Sequence, residues 1–206
     1  MMQKPFSQAC ENNKTAILDV ITQYFHACSH ILEIGSGTGQ HAVFFSSVMP
    51  WLRWQTSDLK GNHPGIISWL SGAGLENIQL PVELDVSLAG WPVEGFDGVF
   101  SANTSHIMAW PEVKAMFQGI GRHLPSGGFF CLYGPFNYQG QYTSESNALF
   151  DRHLKQRAPH MGIRNFETIN SLASEHGLVL IADHEMPANN RTLVWKKAWQ
   201  KVGQKE

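Results

Sequence analysis

The sequence predicts a doubly wound α/β fold: a mostly parallel sheet of seven strands, with helices on both faces and a C-terminal antiparallel hairpin. Three observations carry that expectation. Apolar runs of strand length alternate, through most of the chain, with stretches whose apolar residues recur at helical spacing. The first strand runs straight into three glycines at alternate positions, in ILEIGSGTGQ from Ile31 to Gln40. The last two strands, LVLIAD and TLVWKK, are joined through HEMPANNR, too short for a crossover helix, so they pair antiparallel at one edge.

Each element follows from its own pattern. Ile17, Leu18, Ile21, Phe25 and Cys28 share one face, which predicts an amphipathic N-terminal helix over residues 11–28. HILEI is the first strand. Phe44, Phe45 and Val48 predict a helix that stops before Pro50, and RWQTSD the second strand. Ile66, Ile67 and Leu70 mark a short helix ended near Gly72 and Gly74. IQLPVELDV is the third strand, with Pro81 pointing to an edge or an irregularity. FDGVFSAN is the fourth. Val113, Met116, Phe117, Ile120 and Leu124 have helical spacing, PSGG turns the chain, and FFCLYG is a buried fifth strand. Residues 144–158 read as helical, and Phe166, Ile169, Leu172 and Ala173 mark the final helix before the hairpin.

The bulk properties bound the function. The 206 residues suit one domain, spanning 1–206, and 43% apolar against 16% charged residues is a globular balance. A net charge of −2 and the lack of an appended basic segment argue for a small-molecule partner over nucleic acid. Cys10, Cys28 and Cys131 are scattered and odd in number, which points away from a disulfide framework and toward a reducing, cytoplasmic compartment. The N-terminal stretch has no apolar core of a secretory signal, and no run has the length of a membrane-spanning helix. The ten histidines show neither HxxxH nor HExxH spacing, so no metal site is expected. Oligomeric state is left open.

A glycine turn between strand and helix brings backbone N–H groups against a ligand beyond the carboxyl ends of the strands. Dinucleotide folds prefer GxGxxG, whose third glycine would fall at Gln40; this chain has GxGxG, with Gly39 instead. With EIGSGTG after a strand, Asp58 ending the next, LDV with Asp85 ending the third, and the terminal hairpin, the chain resembles the class I S-adenosylmethionine-dependent methyltransferases, a Rossmann-like superfamily. The resemblance covers nearly the whole chain. It implies that Gly35, Gly37 and Gly39 pass under the methionine part of S-adenosylmethionine, that Asp58 holds the ribose hydroxyls, and that Asp85 meets the adenine amine. Glu33, Ser36, Leu59, Val86 and Asn103 complete the expected cofactor site. The chemistry agrees: one carboxylate can accept both hydroxyls of a ribose diol, and a phosphate-free cofactor needs no Arg or Lys near the loop.

YTSESNALFDRHL, GIRNFETINSLASEHGL, MPANNRTLVWKK and SQACENNKTAIL are similar to a narrower branch, the methyltransferase-like protein 26 family. That branch carries proline and arginine where this chain has Gln8 and Asn12, so no role of the arginine is carried over. His106, near neutrality in its ordinary pKa, and Tyr133 are the catalytic candidates. Asn13, Asn137, Tyr138, Asn147 and Arg164 are expected on the substrate side. The segment from Gly134 to Arg164, longer than a crossover needs, is expected to act as a lid whose Gly134–Gly140 part moves while Ser144 caps the next helix. The expected activity is methyl transfer to a small-molecule acceptor. No (D/N)PP(Y/F) motif follows the fourth strand, which leaves the acceptor atom open. An NAD-dependent oxidoreductase and a non-catalytic cofactor-binding protein are the alternatives.

Overall fold

The computed structural model describes residues 4–199. The expected domain over 1–206 extends at both ends, over residues 1–3 and 200–206, beyond the described part. Strand β1 (His30–Ile34) is buried along its whole length and lies in the interior of a seven-stranded sheet. On one side of it come β2 (Arg53–Asp58) and β3 (Ile78–Glu83); on the other, β4 (Gly98–Ala102) and β5 (Phe129–Gly134). These five strands are parallel. The hairpin of β8 (Leu178–Met186) and β9 (Asn190–Lys197) closes the other edge, with β9 inserted antiparallel between β5 and β8.

Successive residues of β1 point to opposite faces, and each face meets its own core. Ile31 packs with Phe25, Phe45, Trp54 and Phe100 under α1 (Gln8–Phe25) and α2 (Gln40–Val48). Leu32 and Ile34 pack with Phe117, Phe130, Ile169 and Trp195 under α4 (Trp110–His123) and α6 (Phe166–Glu175). The short α3 (His63–Ser71) contacts β3, and α5 (Glu145–Arg157) follows the loop after β5. Pro81 sits in the edge strand β3, where a missing N–H costs least, and the β2–β3 register slips between Gln55 and Ser57.

Several features differ from the sequence pattern. Strand β3 ends at Glu83, so Asp85 follows the strand where the sequence pattern had it end one. Helix α1 begins at Gln8, ahead of residue 11, because Ser7 Oγ accepts the Cys10 N–H and supplies the cap; it ends at Phe25, leaving Cys28 buried in the following loop. The hairpin link shortens to Pro187–Asn189, with Ala188 and Asn189 left-handed at φ 57° and 56°, so the flanking polar residues extend the strands instead. A two-residue strand β6 (Phe136–Asn137) pairs in parallel with β7 (Arg164–Asn165), a contact the sequence did not announce. Among the described residues no helix is long and apolar enough to cross a membrane, and no group of three or more His, Cys, Asp or Glu could hold a metal ion.

Candidate functional site

Strand order reverses at β1, whose neighbours β2 and β4 send their connections to opposite sides. The glycine turn leaves β1 at that point, where open α/β sheets bind ligands. All three glycines have positive φ: 75° at Gly35, 58° at Gly37 and 87° at Gly39. Their surroundings differ. A Cβ at Gly35 would lie 2.6 Å from Thr104 Cγ2, and one at Gly39 would lie 3.2 Å from the Ile66 Cα. Those two glycines let the β4–α4 loop and α3 close onto the turn. Only at Gly37 would a side chain meet open space. The amides of Gly35 and Ser36 both donate to the Ser57 carbonyl, tying the turn to β2.

Two clefts meet over this turn, and Gly35, Gly37, Ala102 and Asn103 border both. The smaller, about 380 Å³, is lined by Asp58, Leu59, Asn62, Asp85, Val86, Ile107 and Met108, with Glu112 on its rim. Asp58 ends β2 and is mostly buried. Its Oδ2 accepts the Gly37 N–H at 2.7 Å; its Oδ1 accepts the Leu59 N–H and the Asn62 Nδ2–H, each at 2.8 Å. Asp85 Oδ1 accepts from the Ser87 amide (2.9 Å) and hydroxyl (2.6 Å), which hold its pKa below the usual carboxylate range. The smaller cleft thus combines the carboxylates of Asp58, Asp85 and Glu112 with the apolar side chains of Leu59, Val86, Ile107 and Met108.

The larger cleft, about 620 Å³, runs from the glycine turn to α1, α5 and the hairpin turn. His106 lines it and is almost wholly buried; burial, with the Arg164 guanidinium nearby, pulls its pKa down to about 4, so the imidazole is neutral at pH 7. Its Nδ1 is buried without a partner among the described residues, and its ring meets Phe150 edge-on at 5.3 Å. Tyr133 lines the same cleft, and burial raises the pKa of its hydroxyl, with Asn13 acting in the opposite direction. Asn13 Oδ1 accepts from His41 Nε2 at 2.7 Å. Asn147 lines the same wall, its Nδ2 donating to the Asn189 carbonyl at 3.0 Å. Asn103, left-handed at φ 58° directly after β4, is the one non-glycine residue in that conformation that borders both clefts.

The structure therefore brings together Gly35, Ser36, Gly37, Asp58, Leu59, Asp85, Val86 and Asn103 with His106, Tyr133, Asn13 and Asn147. Five expected residues stand outside both linings. Glu33 is buried under the turn, accepting from Ser36 Oγ and Trp54 Nε1, and burial raises its pKa to about 7. Gly39 serves helix packing, as above. Arg164 Nε and Nη2 donate to the carbonyls of Ser105, Met108 and His160, strapping the β4–α4 loop to β7. Asn137 is buried within β6, and Tyr138 stacks on Phe166 while its hydroxyl donates to Asp183 at 2.7 Å. Phe136 is in the core and the Gln139 amide donates to Glu167, so the first part of the segment expected to move is anchored at several points. The turn residues Pro187, Ala188 and Asn190 join the cleft unforeseen, as do Ser7, Cys10 and Phe150. Asn62 had a local signal, four residues after Asp58 at a helix start; the hairpin turn had none.

A family model described as "Protein of unknown function (DUF938)" matches residues 4–197. The chain belongs to that DUF938 family. Among solved structures, the S-adenosylmethionine-dependent methyltransferase SibL in its apo form superposes with a TM-score of 0.79 at 18% identity, over 93% of this chain and 56% of its own. The mitomycin 7-O-methyltransferase MmcR gives 0.81 at 14% identity, over 92% and 54%. Human N-acetylserotonin methyltransferase, in complex with S-adenosylmethionine, gives 0.79 at 16% identity, over 93% and 53%. The chain spans about half the length of these neighbours. At such identities the likeness establishes the fold: a Rossmann-like methyltransferase sheet with its C-terminal antiparallel pair.

Proposed function

We propose that this DUF938 protein binds S-adenosylmethionine across the glycine turn and transfers its methyl group to a small molecule in the larger cleft. One observation carries the reading: the two clefts share Gly35, Gly37, Ala102 and Asn103 as a common border, with Asp58 and Asp85 on one side and a neutral histidine and a tyrosine on the other. The residues present fit the cofactor. Asp58 already accepts three donors, two on Oδ1 and one on Oδ2, which leaves Oδ2 able to accept one ribose hydroxyl, and Asp85 keeps one oxygen unclaimed among the described residues for an exocyclic amine. Leu59, Val86, Ile107 and Met108 make an apolar slot of the kind that takes a flat base. Gly37, open where a Cβ would project, leaves room for close approach of the backbone to ligand.

Bound there, the cofactor supplies an electrophilic methyl group carried on a sulfonium. The chain's part is positioning, which can supply several kcal/mol of the barrier in a two-reactant transfer. His106, neutral and facing the cleft, can accept a proton when the acceptor must lose one; Tyr133, protonated, can orient it through its hydroxyl. Asn13 and Asn147 hold the walls formed by α1 and α5. The narrower likeness to methyltransferase-like protein 26 is kept as part of this reading, as is a cytoplasmic setting, which three free cysteines support. A cover over the larger cleft falls to the exposed stretch from Gln139 into α5, since Phe136 and Tyr138 are held in place.

Titration calorimetry with S-adenosylmethionine, its demethylated product S-adenosylhomocysteine and NAD tests the proposal. Binding of the first two, and not of NAD, is expected. A folded protein that binds NAD and neither sulfur nucleoside would replace the reading with that of an oxidoreductase.

A further inference from the structure

We infer that the larger cleft selects an uncharged acceptor: an apolar body bearing hydrogen-bonding groups, with carboxylates, phosphates and ammonium ions turned away. The inference rests on the proposed methyl transfer only for the word acceptor; the selectivity is a property of the cleft. Among the described residues its lining contains no Asp, Glu, Lys or Arg. The smaller cleft, which shares four bordering residues with it, carries Asp58, Asp85 and Glu112. One site thus holds every acid, and the other none.

The charged residues around the larger cleft are already committed elsewhere. Glu11 pairs with Lys14 and accepts from Gln40. Arg164 spends its donors on three carbonyls. Asp151 is held by Lys155, Tyr142 and the Ile163 amide, and Arg191 by Asp183 and Glu185. Helix N-termini could stand in for a cation, and α1 and α5 both begin at the cleft. Each is capped by its own side chain, Ser7 accepting the Cys10 N–H and Ser144 the Asn147 N–H, and each has a glutamate in its first turn. An anion gains little from ends already answered in this way.

What remains is neutral chemistry. Tyr133, Phe150, Pro135 and Pro187 offer apolar surface; the Asn103 side-chain amide and Asn12 Nδ2 offer donors, and Asn103, Asn147 and Asn190 offer side-chain carbonyl oxygens, all without a partner among the described residues. His41 and His106 are both held neutral, by burial above all, with pKa values near 4. A charged ligand entering here would lose its water shell and meet no opposite charge, whereas hydroxyls and carbonyls would find partners. The volume, about 620 Å³ with the methyl-donor end included, suits a molecule of one or two rings.

The test is a fragment screen of the full chain by NMR at pH 7.5. Ring-sized fragments are used in three equal sets: neutral, anionic and cationic. Shifts of the Phe150 and Asn147 amides report binding in the cleft. The screen is run with and without S-adenosylhomocysteine, whose own binding is measured separately by calorimetry. Neutral fragments should outnumber charged ones at these amides at least fivefold, and adding a carboxylate or ammonium to a neutral hit should weaken it at least tenfold. Charged fragments matching the neutral set, or no neutral fragment shifting these amides, overturns the inference. Failure of S-adenosylhomocysteine to bind sinks the methyl-transfer reading alone, because the charge preference is read without it.

Discussion

Replacing Asp58 with alanine should weaken S-adenosylhomocysteine binding by about 1–3 kcal/mol, the range for losing a charged hydrogen-bond acceptor from a mostly buried position. At 1.4 kcal/mol per decade this is roughly a 5- to 150-fold rise in Kd. The carboxylate does two things. It faces the cleft, where it would accept from the ribose, and it accepts the Gly37 N–H at 2.7 Å, fixing the one glycine of the turn at which a Cβ would meet open space. Removing it also frees the Leu59 N–H and Asn62 Nδ2–H, but the cleft admits water that can replace those bonds. The loss of affinity should therefore exceed the loss of stability. Calorimetry with wild type and Asp58→Ala reads the first, and a thermal melt of both without ligand reads the second. Asp58→Asn, which keeps the volume and one acceptor oxygen, should fall between them. A cooperatively folded Asp58→Ala that binds as tightly as wild type would remove Asp58 from the site and with it the main chemical argument for the smaller cleft.

Other outcomes follow from the same geometry. Gly37→Ala should lower ligand affinity at least tenfold while costing only the roughly 1–2 kcal/mol of a left-handed alanine; Gly39→Ala, whose Cβ would press on Ile66, should lower the melting temperature more than Gly37→Ala, and the reverse order would refute the division of labour. Glu33, raised to about 7 by burial, binds its proton more tightly folded than unfolded, so it stabilises fully below about pH 4.5 and this contribution fades as pH rises toward 7. Glu33→Gln keeps an acceptor for Ser36 and Trp54 and should gain stability relative to wild type across that window; parallel pH–melting curves for the two proteins would contradict the assignment. Hydrogen exchange should show residues 139–150 gaining protection when S-adenosylhomocysteine binds, while Phe136 and Tyr138 stay protected throughout; equal protection of 139–150 in both states would exclude a covering role.

The architecture was largely legible because local patterns and long-range order agree in this chain. Strand-length apolar runs such as ILEI and FFCLYG can only be buried between two helical layers, and the short link before TLVWKK forces an antiparallel return. Pro81 announced its edge position through its missing N–H. The smaller cleft was legible for a similar reason. Asp58 and Asp85 end or follow strands, and in a parallel sheet all those ends open to the same side. Where a side chain's partner lay far along the chain, its placement was not legible. Arg164 looked like a ligand-binding cation, yet the carbonyls that claim it are at Ser105, Met108 and His160. Tyr138 looked like a pocket wall, yet Asp183, 45 residues on, takes its hydroxyl.

The sequence by itself determined the order of the elements, the glycine turn at the end of β1 and the two acids beside it. Those depend on periodicity, backbone permissiveness and strand ends, which are local properties. The tertiary structure alone decided which glycine of the turn opens onto the clefts and which are pressed by a neighbouring loop or helix, because Thr104 and Ile66 arrive from other elements. It alone also decided that the hairpin-turn residues Pro187, Ala188 and Asn190 line the larger cleft, and that among the described residues its lining holds no Asp, Glu, Lys or Arg. The sign and strength of a site's field come from how side chains distant in sequence pair off before any ligand arrives, and that pairing is made only when the chain is folded.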